Sequence, residues 1–229
     1  MEERDSRAVR PRDAATLILF RRGADGPRIL MGQRHGGHVF MPNKFVFPGG
    51  RVDAADGRIA PLTGLRPEVE ERVARGCSAT RARALGMAAI RETFEETGLL
   101  VGEPVASPPR TRSRSWGAFL AHGVVPSLEI LDLVARAITP PGLPRRFDAR
   151  FFMTDAVHVH GDAHDELAGS GELLDVRWIP LAEAQHLDLP QITALVIEHV
   201  AMRLAAPDPA TVSVPFVRFQ RGRSRIDLL

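Results

Sequence analysis

Three glutamates near the middle of the chain are spaced for metal chemistry. Glu92, Glu95 and Glu96 stand at positions i, i+3 and i+4, so on a helix they share one face. Met87 and Ile90 would lie on the opposite, apolar face, which can pack against a core. Three like charges on one patch repel each other, and a hard divalent cation bound through oxygen would remove that repulsion. A solvated acidic stripe is the alternative interpretation.

The residues around this segment favour the metal interpretation. Gly98 follows the last helical residue, where a left-handed cap is common, and Arg91 can pair with Glu95 four positions later. Upstream, a predicted strand ends in Pro48-Gly49-Gly50, a turn whose glycine backbone can approach a ligand or cation closely. Such a turn alone is most often only a turn. A glycine loop followed by an acidic helix is much more specific.

Together these residues resemble the Nudix box of the Nudix hydrolases. The box has a glycine, five residues, a glutamate, seven residues and then Arg-Glu-apolar-any-Glu-Glu-any-Gly-apolar. The chain matches it at Gly50, Arg91, Glu92, Glu95, Glu96, Gly98 and Leu99. It departs at Thr93, where the box has an aliphatic residue, and at Asp56, where the box has its first glutamate. Gly50 and Arg91 are 41 positions apart instead of 14, so 27 residues are inserted.

One branch of the family, the coenzyme A diphosphatases of the peroxisomal type, resembles the chain more closely. Its Phe-Pro-Gly-Gly, Asp-x-x-Asp, long insert and Arg-Glu-x-Phe-Glu-Glu correspond to 47–50, 53–56, about 57–83 and 91–96. The likeness extends from about Ala14 to His199. It implies an enzyme, a hydrolase that cleaves a diphosphate linkage in a nucleoside diphosphate derivative, with coenzyme A or an acyl-coenzyme A as the favoured substrate.

The resemblance also implies roles for individual residues. Glu95 and Glu96 would be metal ligands, Glu92 a ligand or a base, and Arg91 would orient a glutamate. The predicted catalytic residues are therefore Glu92, Glu95 and Arg91, and the predicted metal ligands are Glu92, Glu95 and Glu96. The metal would be Mg²⁺ or Mn²⁺, because either ion can neutralise phosphate oxygens, orient them and lower the pKa of a bound water.

Substrate contacts are predicted for Gly49, Gly50 and Arg146. The two glycines offer backbone groups at the end of the loop strand, and the planar guanidinium of Arg146 suits a phosphate. A solvated strand end is the alternative interpretation for Arg146 and its neighbour Arg145.

Two further sets of residues are weaker candidates. Asp162, His164, Asp165, Glu166 and Glu172 form an acidic, histidine-bearing loop that could supply an additional ligand or base, Glu166 being preferred. A solvated loop is the alternative. His35 and His38 flank glycines before the loop strand and stay outside the predicted catalytic set.

The composition is that of a globular protein. With 229 residues and 44% hydrophobic content, the chain can bury one substantial core. A net charge of +2 is too small to indicate a nucleic-acid partner, and no apolar run reaches the ~20 residues that span a membrane. The mixed-charge N-terminus does not resemble a signal peptide. Cys77 is the only cysteine, which fits a reducing cytoplasm. Homodimerisation stays open.

The elements that must position these residues indicate an α/β fold. Strands are predicted over 14–20, 28–34, 40–47, 146–154, 173–179 and 212–219. The first two are predicted to form a hairpin across the turn at 23–27. Helices are predicted over 68–75, 78–97, 116–124, 128–136, from Pro180, and over 189–204. This order fits a mixed sheet flanked by helices, the α/β/α sandwich that the resemblance implies. Residues 1–13 are predicted to be a flexible segment. Residues 14–229 would be one domain, with the insert at about 57–83 and a C-terminal helical and strand extension.

Two functions remain open at this point. The first is the metal-dependent hydrolase described above. The second is a non-catalytic Nudix-like module that binds a nucleotide or metabolite, which the aspartate at position 56 and the insert motivate. The insert itself is interpreted either as a tolerated surface excursion or as a segment that shapes access to the site.

Overall fold

The chain folds around a mixed β-sheet. The computed structural model describes residues 9–34, 44–161, 167, 173–220 and 222–229. Its strands are β1 (Arg12–Gly23), β2 (Gly26–Arg34), β3 (Phe45–Val46), β4 (Gly49–Arg51), β5 (Leu100–Val101), β6 (Glu103–Pro104), β7 (Val124–Val125), β8 (Asp132–Ile138), β9 (Phe147–Asp155), β10 (Val159–His160), β11 (Leu173–Pro180), β12 (Pro215–Gln220) and β13 (Arg223–Leu228). Its helices are α1 (Pro67–Val73), α2 (Ala79–Thr97), α3 (Arg114–Leu120), α4 (Leu181–Ala184) and α5 (Gln191–Ala205). Within the described ranges, no helix is long and apolar enough to cross a membrane.

Strand β1 organises the sheet. The main path runs β11-β2-β1-β9-β8-β12-β13, with β3 paired to β2 and β4 paired to β1. The predicted hairpin is confirmed, because β1 and β2 are antiparallel and Gly23 lies opposite Gly26 at the turn. Strands β1 and β9 are parallel. The mixed sheet confirms the predicted α/β class.

The two faces of the sheet bury separate cores. Leu17 and Leu19 of β1 belong to the core that also holds the apolar side chains of α2. Ile18 and Phe20 point the other way, into the core that includes Val196 of α5. Because successive strand residues face opposite sides, a central strand between two helical layers must be apolar throughout. The result is the predicted α/β/α sandwich.

Helix α2 begins and ends where its sequence predicts. The Ser78 hydroxyl accepts a hydrogen bond from the Arg81 N–H, which caps the N-terminus. Gly98 has φ 76° and donates its N–H to the Phe94 carbonyl, the expected left-handed C-terminal cap. Met87 and Ile90 are fully buried, so the apolar face anchors the helix to the sheet.

The insert folds onto the core. Its predicted helix is confirmed as α1, which buries Val69 and Val73, and Ile59 and Leu65 enter the same cluster. Apolar burial of this kind stabilises the insert as part of the domain, because each side chain is removed from water.

Some predicted elements differ from the structure. The helix predicted over 128–136 is wrong, because Asp132–Ile138 forms β8, between β9 and β12. A short run that is buried on both faces of a sheet cannot be told from a buried helix by its periodicity. The helix predicted over 116–124 is confirmed only in its first part, since α3 ends at Leu120. Of the strand predicted over 40–47, residues 40–43 lie outside the described residues, and β3 covers Phe45–Val46.

Candidate active site

The guanidinium of Arg91 is buried and fully hydrogen-bonded. The Arg91 side chain is 6% exposed, and each of its five N–H bonds has an acceptor. Nε and Nη2 donate to Asp56 at 2.8 and 3.1 Å, and Nη2 also donates to the Arg51 carbonyl at 2.9 Å. Nη1 donates to Glu92 and Glu95, both at 2.8 Å, which confirms the predicted pair with Glu95. Burial alone would lower the pKa of Arg91, but Asp56 and the two glutamates outweigh it and raise this pKa.

Asp56 accepts hydrogen bonds from Arg91 and from two other donors. Its carboxylate is fully buried and accepts four hydrogen bonds: two from Arg91, one from the Trp116 Nε1–H at 2.9 Å and one from the Asp53 N–H at 2.7 Å. Aspartate at this position of the box therefore still reaches the arginine. Trp116 is a contact that the sequence did not indicate, because it lies 60 residues from Asp56 and carries no local motif.

The glycine pair lies against both β1 and α2. Gly49 and Gly50 belong to β4, which pairs antiparallel with β1, so they form a short strand and not the simple turn that was predicted. The Gly49 N–H donates to Glu96 Oε2 at 2.9 Å. A Cβ at Gly49 would meet Thr16 Oγ1 at 2.5 Å, and a Cβ at Gly50 would meet the Glu92 carboxylate at 2.5 Å. At Gly49 the added Cβ would also meet the backbone of β1, so only glycine fits there, whereas at Gly50 it would meet only the end of the Glu92 side chain.

The three glutamates are more enclosed than a solvated stripe would be. The Glu92 and Glu95 side chains are 14% and 33% exposed, and Glu96 is buried. Burial raises the pKa of Glu92, an effect that the charge and hydrogen bond of Arg91 partly oppose. The helix face that carries these carboxylates is turned toward β4, the strand that contains Gly49 and Gly50 and is called the glycine strand below.

The donor set of this site fits a hard divalent cation. All its side-chain ligands would be carboxylate oxygens, the type that Mg²⁺ and Mn²⁺ prefer. These carboxylates lie next to Gly49 and Gly50, which have no side chains to occupy the space between them. In the described conformation the Glu92 and Glu95 carboxylates accept hydrogen bonds from Arg91, and the Glu96 carboxylate accepts one from the Gly49 N–H. Accordingly, no three acidic, histidine or cysteine side chains in the described part of the chain form a preformed metal cluster.

A cavity of about 1030 Å³ lies in front of these residues. Some of its lining residues lie on α2, on β4 and the two residues after it, and at the end of β2: Arg34, Gly49, Gly50, Arg51, Val52, Asp53, Arg91, Glu92, Glu95 and Glu96. The others lie near the start of β1 and in the β8–β9 connection: Val9, Arg12, Pro144, Arg145, Arg146 and Phe147. None of residues 57–83, all of which the structure describes, lines this cavity.

Arg146 lines the cavity, and its side chain also bonds to two neighbouring backbone segments. Its Nε donates to the Thr139 carbonyl at 3.0 Å, and its Nη1 donates to the Val9 carbonyl at 2.7 Å. These bonds tie the β8–β9 connection to the segment before β1. A contact between Arg146 and substrate stays a prediction, as do the contacts of Gly49 and Gly50, which line the same cavity.

The sequence interpretation missed three arginines that line the cavity, namely Arg12, Arg34 and Arg51. Each has a positional signal. Arg12 begins β1, Arg34 ends β2, and Arg51 directly follows the glycine pair, so all three stand at strand ends beside the site. The weaker candidates His35, His38, Asp162, His164, Asp165, Glu166 and Glu172 lie outside the described residues.

Comparisons with known proteins agree with this geometry. No family model matches the chain. The acyl-coenzyme A diphosphatase NUDT19 of Gallus gallus is 33% identical over 151 residues, covering 52% of this chain and 39% of that protein. The chain thus spans about two fifths of the length of this curated relative. The crystal structure of a Nudix hydrolase from Alicyclobacillus acidocaldarius matches with a TM-score of 0.63 at 27% identity, covering 84% of this chain and 92% of that one.

Replacing Asp56 tests the buried network. Asp56→Ala leaves the Arg91 cation and the Trp116 N–H without their main acceptor, so the free energy of unfolding should fall by about 3–5 kcal/mol. Urea denaturation measures this change. Asp188→Ala is the matched control, because Asp188 pairs with Lys44 at the surface and its side chain is 70% exposed. It should lower stability far less. Equal losses from the two variants would show that the buried network adds nothing special.

Proposed function

Because this chain belongs to the Nudix hydrolase family, we propose that it is a divalent-metal-dependent diphosphatase of nucleoside diphosphate derivatives. Coenzyme A or an acyl-coenzyme A is the favoured substrate. The observation that carries the proposal is the set of α2 carboxylates, held by Arg91 against Gly49 and Gly50 in an arginine-lined cavity. The similarity to an acyl-coenzyme A diphosphatase supports the substrate.

The charges around the cavity suit a diphosphate. Water attacks such a linkage slowly because the phosphoryl oxygens are negative and repel a nucleophile. Mg²⁺ or Mn²⁺, held by Glu92, Glu95 and Glu96, would neutralise these oxygens. Arg34 and Arg51 line the same cavity and offer guanidinium groups to the remaining phosphate oxygens.

The protein's own residues then fix geometry. Arg91 keeps Glu92 and Glu95 in defined rotamers, because one of its nitrogens bonds both carboxylates at 2.8 Å. The Gly49 N–H does the same for Glu96 at 2.9 Å. Such preorganisation reduces the rearrangement needed when substrate binds, and it is how a rigid helix contributes to catalysis. Glu92, whose carboxylate lies 2.5 Å from where a Cβ at Gly50 would be, would act as a ligand or as the base.

A substrate panel tests the proposal. Coenzyme A, acyl-coenzyme A, ADP-ribose and dinucleoside polyphosphates are each incubated with Mg²⁺ or Mn²⁺, and products are identified by mass. We expect metal-dependent release of 3′,5′-ADP from coenzyme A. Glu96→Gln should lower this rate by at least roughly 10–100-fold, the loss seen even for outer partners of metal sites. Failure to cleave any member of the panel with either metal would reject a hydrolase.

The non-catalytic alternative makes a different prediction in the same assay. A binding module would retain coenzyme A or another nucleotide without turnover, and Glu95→Gln and Glu96→Gln would leave that binding unchanged. Asp56, which motivated this alternative, accepts two hydrogen bonds from Arg91, which supports the hydrolase over the binding module.

Gly50 offers a test of the close approach between β4 and α2. Gly50→Ala places a Cβ 2.5 Å from the Glu92 carboxylate, which must then move. A displacement of about 1 Å at a catalytic group can reduce the rate by about 100-fold, so kcat/KM should fall steeply. The melting temperature should fall only modestly, because Asp56, Glu95 and the Arg51 carbonyl still accept hydrogen bonds from Arg91 when Glu92 moves. Gly64→Ala is the control, since a Cβ there meets nothing within 4 Å. A Gly50→Ala variant with normal kcat/KM would contradict the proposed role of Glu92.

A further inference from the structure

Two arginines in the cavity lining, one at the start of β1 and one in the β8–β9 connection, have no side-chain partner among the described residues. Arg12 and Arg145 are exposed and line the cavity. Neither side chain has a hydrogen bond or ion pair with another residue in the ranges that the structure describes. Arg146, which also lines the cavity, is instead occupied by the carbonyls of Val9 and Thr139.

The nearest carboxylates of the same strands do not cancel these charges. Asp13 follows Arg12 but bonds Arg81 and Arg150, at 2.6 and 3.2 Å. Asp148, near Arg145 in sequence, bonds Arg136 and Arg150 at 2.7 and 2.9 Å. Neither carboxylate lines the cavity. Asp53 does line it, but its side chain accepts a hydrogen bond from the Ala55 N–H. Within the described chain, no ion pair therefore neutralises Arg12 or Arg145.

The backbone around these two arginines is also fixed in place. The Arg12 N–H donates to the Arg146 carbonyl at 2.9 Å, and β1 and β9 pair in register from Arg12 opposite Phe147. With Arg146 bonded to Val9 and Thr139, the backbone that carries both free arginines is held on several sides. An anion site built on fixed backbone binds more tightly than one on a loose loop, because less entropy is lost on binding.

The register of the sheet separates Arg12 from the glycine pair. Gly49 lies opposite Thr16 of β1 and Gly50 opposite Ala15. Arg12 precedes Ala15 and Thr16 by three and four residues, which is roughly 10–13 Å along a strand. The two phosphorus atoms of a diphosphate are joined through one bridging oxygen. The backbone of Arg12 therefore lies farther from the glycine pair than the length of one diphosphate.

We propose that Arg12 and Arg145 bind a further phosphate of the substrate, separate from the diphosphate that is cleaved. The inference rests on the proposed function, because the same cavity would hold the scissile diphosphate beside α2. The two arginines then determine specificity: they select substrates whose nucleoside carries an additional phosphate over those that lack it.

The test uses two ligands that differ by one phosphate, coenzyme A and 3′-dephospho-coenzyme A. Binding is measured by calorimetry with EDTA present, so that no turnover occurs. Hydrogen bonds to a charged group are worth about 1.5–3 kcal/mol, so wild type should bind coenzyme A at least about tenfold more tightly. Arg12→Ala/Arg145→Ala should bind both ligands with equal affinity. Arg110→Ala/Arg112→Ala, which removes two exposed arginines outside the cavity, should keep the wild-type preference.

The outcomes separate the two proposals. No preference in wild type, or a preference that survives in Arg12→Ala/Arg145→Ala, overturns the phosphate site. Equal loss of preference in the Arg110→Ala/Arg112→Ala control overturns it too, since overall charge would then be the cause. Hydrolysis of both ligands is followed in parallel with Mn²⁺. Discrimination in binding without any hydrolysis would reject the enzyme and leave the phosphate site intact, whereas equal hydrolysis and equal binding would do the reverse.

Discussion

Burying a guanidinium costs free energy that only a full set of acceptors offsets. Arg91 has such a set, and its acceptors come from three parts of the chain: Asp56 at the start of the insert, the carbonyl of Arg51 in β4, and two glutamates of α2. Losing any one of them would leave charge in a poorly solvated place. The same bonds that satisfy the arginine therefore fix the relative positions of helix, glycine strand and insert.

The glycine strand depends on a second constraint, which is steric. Strand β4 lies between β1 and α2, and a Cβ at either Gly49 or Gly50 would clash on one side or the other. Backbone groups can then reach a carboxylate directly, as the Gly49 N–H reaches Glu96. Both constraints act through the sheet, because the register between β1 and β4 sets where the glycines stand. The insert adds apolar contacts to the core without lining the cavity, so its contribution is to stability and to the placement of Asp56.

The elements that the sequence predicts well are those whose ends are set by residues close together in the chain. Helix α2 was predicted within one residue because Ser78 and Gly98 are local caps, and the β1–β2 hairpin because its turn glycines stand between two apolar runs. The contacts of Asp56 were not predictable, since Arg91 and Trp116 are 35 and 60 residues away and meet it only in the folded chain. Strand β8 was mistaken for a helix because burial on both faces removes the alternation that identifies a strand. Arg12 and Arg145 are distant in sequence, and the parallel pairing of β1 and β9 brings the segments that carry them together.

The central claim is that the α2 glutamates hold a divalent cation in front of the glycine strand. Crystals of the full chain soaked in MnCl₂ and measured at the manganese absorption edge test it most directly. We expect an anomalous peak roughly 2.1 Å from carboxylate oxygens of Glu95 and Glu96, with Glu92 alongside. Manganese bound only elsewhere, with these carboxylates still on Arg91 and Gly49, would contradict the account.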